Sequence, residues 1–203
     1  MKYDIIKNEL DLVLIPKSKI TNIDSIIHDE MEDLAIVYCF IEEKGLRPVI
    51  KMLQKDVLDV LCVSEDQLKK DAVRNSVGKH KMQICSIGFA VAATNLDDIP
   101  MYVALTSDGK FGAKVMAYPG FFEYAAATVG CSYYILPSSI HELILLKDNT
   151  ILSLEEIKDI VIEVNSTEVS DRDFLSDEVY HYDAIAKKFE NASAYYNRVN
   201  RLS

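Results

Sequence analysis

The apolar positions of this chain fall into short runs divided by polar or turn-prone breaks, and their spacing switches between strand-like and helical. Residues 34–41, Leu34-Ala35-Ile36-Val37-Tyr38-Cys39-Phe40-Ile41, form a continuous apolar run rich in β-branched and aromatic side chains, which is the composition of a strand. Glu42-Glu43-Lys44-Gly45 breaks the run, and residues 48–53 read as the returning strand of a hairpin. Val57, Leu58, Val60 and Leu61 then fall at helical spacing. Ser64-Glu65-Asp66-Gln67 has the form of a capping box, with the serine able to accept from a backbone N–H while Gln67 reaches back, so a second helix is predicted over residues 65–75. Upstream, residues 5–14 predict a helix that ends before Pro16, because the residue before proline avoids helical geometry. Residues 28–33 read as an acidic, solvated approach to the first strand.

Hairpin and helix recur in the second half. Residues 101–106 and 111–118 predict two strands around Asp108-Gly109, a strong turn signal between apolar runs. Pro119 suits the start of a helix and Gly130 its end, with Phe121, Phe122, Tyr124, Ala125 and Val129 on the inner face. A second hairpin is predicted over residues 133–136 and 140–146. After it Ser153-Leu154-Glu155-Glu156 forms another capping box, with Ile157, Ile160, Val161 and Val164 as the apolar stripe. Residues 178–182 predict a short strand, residues 184–202 a surface or tail helix, and residues 84–93 either a buried helix, the favoured reading, or a strand followed by a helix. Strand–strand–helix order over residues 34–62, 101–130 and 133–165 predicts an α+β fold of antiparallel hairpins with helices packed on a mixed or antiparallel sheet. The expected halves are residues 1–95 and 101–183, joined at the linker-like segment 95–100 and followed by the tail helix 184–203, all in one compact unit.

Composition narrows the function classes. At 203 residues, 49% hydrophobic and 27% charged, the chain has ordinary globular composition and needs no disulfide or metal to hold a core. The net charge of −10 argues against nucleic acid and against an anionic membrane surface, both of which are held by cations. No apolar run approaches the roughly 20 residues of a membrane helix. Met1-Lys2-Tyr3-Asp4 offers no cationic leader, so a cytoplasmic location is expected. Cys39, Cys62, Cys85 and Cys131 show no paired spacing and read as buried, reduced thiols.

Tyr134-Ile135-Leu136-Pro137-Ser138-Ser139-Ile140-His141-Glu142, Glu163-Val164-Asn165-Ser166-Thr167 and residues 175–183, together with residues 33–38 and 63–68, resemble a domain-of-unknown-function family of clostridia and related gut Firmicutes. The likeness covers residues 33–183. Residues 1–33 look shorter than that family's N-terminal region, which suggests a truncated member, and residues 184–203 run past its usual end. The resemblance implies a bacterial cytosolic protein with no assigned activity and supplies no catalytic residues to carry over.

Ser138, Ser139, His141 and Glu142 are the candidate catalytic residues. A nucleophilic serine needs a base within hydrogen-bond reach and a third group to orient it, and on an extended strand Ser139 and His141 share a face. No Gly-x-Ser-x-Gly elbow accompanies them, and Pro137-Ser138-Ser139 reads more simply as a turn whose hydroxyls bond local backbone. His141-Glu142 lacks the second histidine of a zinc motif, Leu145 standing in its place. His181 with Asp177, Glu178 and Asp183 is a loose cluster, and Asp171 and Asp173 lack the rest of a calcium loop. Residues 78–81 and 108–110 lack a full phosphate-loop pattern. Tyr180-His181-Tyr182 could stack a planar ligand but matches ordinary sheet packing. No metal and no cofactor is expected. The favoured reading is a non-enzymatic domain that binds another protein or a second copy of itself. The alternatives are a small hydrolase or transferase centred on Ser138, Ser139 and His141, or a small-molecule sensor.

Overall fold

The longest apolar run becomes the centre of a sheet. In a computed structural model that describes residues 2–44, 47–87, 101–149 and 152–201, β3 (Leu34–Lys44) pairs on one side with β1 (Leu10–Pro16) and on the other with β2 (His28–Met31) and β4 (Arg47–Met52), all antiparallel. The chain divides into two compact units, residues 1–81 and 82–203, and this sheet belongs to the first. The 34–53 hairpin forms as expected. Residues 5–14 do not form the expected helix: α1 (Lys2–Ile6) is short, a 3-10 turn over Lys7–Glu9 follows it, and β1 begins at Leu10. The reason is that Leu10, Leu12, Val13 and Leu14 are all buried, and a run buried on both faces suits a strand packed on each side better than an amphipathic helix. Residues 28–31 are likewise a sheet strand, not a solvated approach.

After α2 (Val57–Leu61), α3 (Glu65–Lys79) packs along β1, burying Leu68 and Ala72. Ser64 caps α3 by accepting from Gln67 N, but the Gln67 side chain donates forward to Asp71 instead of closing the box. Asp71 also accepts from Tyr3 at 2.7 Å and pairs with Arg74 at 2.7 Å. At the far end of α3, Asn75 donates to the backbone of Lys7 and Leu10, and His80 lies 2.9 Å from the buried carboxylate of Asp11.

Burial pushes the Asp71 carboxyl up, but hydrogen bonds from Tyr3 and Gln67 and the Arg74 charge together outweigh it and hold the group below its ordinary 3.8. A folded-state value below the unfolded one gives stability that is complete above the unfolded value and is lost as pH falls through the folded one. Hydrogen exchange of the α3 amides is therefore expected to accelerate as pH drops below 3.8, after correction for intrinsic exchange. Asp71→Asn is expected to flatten that dependence while weakening α3 at neutral pH. Equal acid sensitivity in the two proteins would show that Asp71 is not a source of it.

The second unit is a six-stranded antiparallel sheet of β5 (Met82–Ser86), β6 (Met101–Thr106), β7 (Tyr133–Ser139), β8 (Glu142–Lys147), β9 (Tyr180–Asp183) and β10 (Lys188–Asn191), in the order β10-β9-β7-β8-β6-β5. With the first sheet it makes the fold α+β. Residues 82–86 are strand where a helix over 84–93 was expected; residues 88–93 of that segment and the linker expected at 95–100 lie outside the described residues.

Two further expectations are corrected. Residues 111–118 do not return as a strand: Phe111 has φ 48°, and Gly112–Ala117 is a 3-10 segment with residues 112–116 buried. Thus β6 pairs with β5 and β8 instead, and the Asp-Gly turn leads into a packed segment. Residues 184–202 are not one helix, because residues 184–187 turn, β10 pairs back on β9, and only α6 (Ala192–Asn200) is helical.

Side chains alternate across a strand, and the pairs Tyr133↔Tyr182 and Tyr134↔His181 define two faces. On the Tyr133 face lies α4 (Phe121–Val129), framed by Gly120 and Gly130 at φ 78° and 89°, where glycine avoids the strain of the left-handed region. It buries Phe121, Ala125 and Val129, and leaves Tyr124 exposed. Phe122 stacks on Tyr182 at 5.3 Å and meets Phe189 at 4.9 Å, and Tyr133 donates to Phe122 O. On the Tyr134 face lies α5 (Leu154–Glu168), whose Ile157 and Val161 pack with Leu136, Leu146, Val179 and Ala192. Ile160 and Val164, expected on the same stripe, are exposed. The Ser153–Glu156 capping box is complete. Of the cysteines Cys39 is buried, whereas Cys62, capping α2, and Cys85, on the sheet's last strand, are exposed.

Candidate functional site

The turn that joins β7 to β8 carries the Ser-His string. The strand register shifts between Leu136 and Ser139. Two segments hold the turn: Ile140 N donates to Asp173 O at 2.8 Å and Ser139 bridges to the adjacent Phe174, while Ala113 N donates to Ile140 O at 3.2 Å. Ser139 Oγ accepts from His141 N at 3.1 Å, while the His141 ring turns to Asp173, with Nε2 3.3 Å from Oδ1. Ser170 donates to the other oxygen of that carboxylate at 2.8 Å. Among the described residues no hydrogen bond joins the Ser139 hydroxyl to the His141 ring. His141 and Asp173 are 46% and 39% exposed, so the dyad sits in solvent. Glu142 is exposed at the start of β8, and the side chain of Ser138 lies outside the described part of the structure. The string is therefore a braced turn with an exposed His–Asp pair on it.

A different site forms on the Tyr134 face. Ser153 and its capping box start α5 beside β7. The β9–β10 hairpin brings α6 back over the same face, fixed at its start by Ala192 N donating to Val179 O and by Asn191, which accepts from Ser193 N and donates to Glu178. Farther along α6, Arg198 reaches Asp183 and Glu190 at 2.9 and 2.7 Å. Between α5 and α6 a cleft of about 540 Å³ opens, lined by Tyr134 on the sheet, by Leu152, Ser153, Leu154, Glu155 and Lys158 on one side, and by Ser193, Tyr196 and Asn197 on the other. That volume falls in the range of small-molecule sites, roughly 300–1,000 Å³.

Beneath the cleft His181 is wholly buried. Its ring stacks on Tyr195 at 3.5 Å and meets Tyr134 edge-on at 5.1 Å. Its Nε2 lies 3.3 Å from Asp148 Oδ2, which assigns the proton to that nitrogen and leaves Nδ1 with no partner among the described residues. Burial first, then the Asp148 charge, pushes the Tyr134 phenol up, so it keeps its proton and can donate at neutral pH. Hydrogen bonds from the backbone and hydroxyl of Ser153 hold the Glu156 carboxyl down and engage it in the capping box. Lys158 donates to Ser193 Oγ at 2.6 Å, tying the two walls together.

Among the described residues no three His, Cys, Asp or Glu side chains gather as metal ligands, and no helix is long and apolar enough to cross a membrane. Lys79, in the glycine-lysine segment 78–81, donates to Asn8 O. Tyr180 and Tyr182 pack into the aromatic cluster on the α4 face. The cleft residues of α6 escaped the sequence reading because residues 184–202 read as one continuous helix. The available signal was the Tyr195-Tyr196 doublet beside a net-polar face.

Residues 1–184 match a family of unknown function (DUF5688). No curated protein and no solved structure matches the chain. The match takes in residues 1–33, outside the likeness seen in the sequence, and stops in the β9–β10 turn. Tyr134, Lys158 and the rest of the α5 wall lie inside it, and the α6 wall lies beyond it.

Proposed function

The chain belongs to that family of unknown function, and we propose that it is a binding domain that does not turn its ligand over and holds it in the cleft between α5 and α6. The supporting observation is the composition of that cleft, where two phenols and two leucines sit beside a lysine, a glutamate, an asparagine and hydroxyls. An apolar lining with a few fixed polar groups is the usual make-up of a ligand site. At the floor Tyr134 packs edge-on against the buried His181, which stacks on Tyr195. A ligand-observed NMR screen of a small aromatic fragment set against the full chain is expected to give hits that shift the resonances of Tyr134, Lys158 and Tyr196, and Tyr196→Ser is expected to weaken those hits by about tenfold. Hits that all map elsewhere on the chain would sink the proposal.

A hydrolase reading draws on one specific observation, the His141–Asp173 contact. Among the described residues the Ser139 hydroxyl is not bonded to that ring, and the pair is 46% and 39% exposed. Hydrolysis of a p-nitrophenyl ester that vanishes in His141→Ala while the fold persists would establish it in place of the binding reading.

A further inference from the structure

We infer that the cleft between α5 and α6 takes an organic carboxylate with a flat apolar body. This rests on the binding reading above and names the ligand class. Several lysines of this acidic chain, Lys7, Lys17, Lys51, Lys69 and Lys188, each sit against a carboxylate. Lys158 does not. It is half-buried, and among the described residues its ammonium makes one hydrogen bond, to the neutral hydroxyl of Ser193. An ammonium has three protons to give, so two are left for a ligand.

The carboxylates nearest in sequence, Asp159, Glu156 and Glu155, make no ion pair with it among the described residues, Asp159 being exposed on the next position of α5. Glu156 is consumed by the Ser153 capping box. Glu155, although it lines the cleft, is exposed and makes no ion pair with Lys158. A partly desolvated cation without a counter-charge is a standing demand for an anion, since burial raises the cost of an unpaired charge. Ser193 holds it in place, so a ligand meets it already oriented.

The remaining chemistry sets the rest of the ligand. Tyr134 keeps its phenol proton and has no hydrogen bond among the described residues, so it offers a second donor to a carboxylate oxygen. The faces of Tyr134 and Tyr196 and the side chains of Leu152 and Leu154 favour a planar apolar body over a flexible polar one. Inorganic anions would use Lys158 and leave those walls wet. A free amine would meet Lys158 as a like charge.

The test uses three probes on the full chain, naphthalene-2-carboxylate, its neutral carboxamide and 2-naphthylmethylammonium, followed by calorimetry and by NMR shifts at Tyr134, Lys158 and Tyr196. The carboxylate is expected to bind about tenfold more tightly than the amide, as a charge-assisted hydrogen bond implies. That advantage is expected to shrink with added salt while amide binding stays level. Lys158→Gln should bring the acid down to the amide's affinity and leave the amide's unchanged, and Lys158→Arg should retain most of the preference. If Lys158→Gln does not fold, the Arg variant and the salt series carry the same decision. An amide or ammonium probe that binds in the cleft as tightly as the acid overturns the ligand class and leaves the binding reading intact. No shift at the three residues with any probe overturns both.

Discussion

Replacing Gly112 by alanine is expected to cost on the order of 3–5 kcal/mol, among the largest effects of any single methyl group in this chain. A Cβ built on Gly112 would lie 2.1 Å from the carbonyl oxygen of His141 and 3.0 Å from both Leu105 Cβ and Thr106 N. The obstacle is backbone, which cannot rotate aside as a side chain would. The neighbouring Ile140 is held from both sides, its carbonyl by Ala113 N and its N–H by Asp173 O. Relief must therefore displace the 3-10 segment, the β7–β8 turn or the end of β6. Urea denaturation of Gly112→Ala followed by circular dichroism should show a much lower midpoint or loss of the soluble protein. Gly78, inside α3 with nothing within 4 Å of its Cβ position, is the control: Gly78→Ala should be neutral or stabilising by roughly 0.5–1 kcal/mol. A Gly112→Ala protein that melts alongside the parent would show that the turn gives way and that the close approach is not a constraint.

The second large effect is expected for Phe121→Ala, at about 3–5 kcal/mol. Phe121 is fully buried in the first turn of α4 and lies edge-on to Phe122 at 5.3 Å. Phe122 in turn touches Tyr182 and Phe189, so the cavity would open under a cluster that spans α4, β9 and β10. The cost includes lost contacts and a void that a sheet-backed site cannot collapse to fill. Chemical denaturation with tyrosine fluorescence provides the measurement, and a change below about 1 kcal/mol would mean that α4 repacks without its aromatic anchor.

These two positions also show how far the sequence could be read. Phe121 was legible: an aromatic at helical spacing, between a helix-start signal and a terminating glycine, belongs on an inner face. Gly112 was not, because nothing local announces that a carbonyl from 29 residues on will press against it. The same contact explains why residues 111–118 are not a strand. Their apolar run met a chain that needed to pack onto the sheet, and tertiary contact overrode local pattern. Residues 10–16 failed in the opposite way. Their apolar run carries no period that separates a buried strand from a buried helix, and only pairing with β3 decides it.

The candidate site divides along the same line. Ser139 and His141 were visible because they are neighbours in sequence, and the structure gives them separate partners. Lys158, Tyr134 and Tyr196 were invisible as a group, since no spacing rule joins position 134 to 158 and 196.

By itself the sequence determined the α+β class, the 34–53 and 133–146 hairpins, the Ser153 capping box and the acidic balance of the chain, all of which rest on interactions within a few residues or on composition alone. Only the tertiary structure decided that β1 is a strand, that the Ser-His string is a braced turn, and that α6 folds back to face α5 across Tyr134. Those outcomes depend on contacts between residues dozens of positions apart, where chain direction, strand register and burial act together and no local pattern records the result.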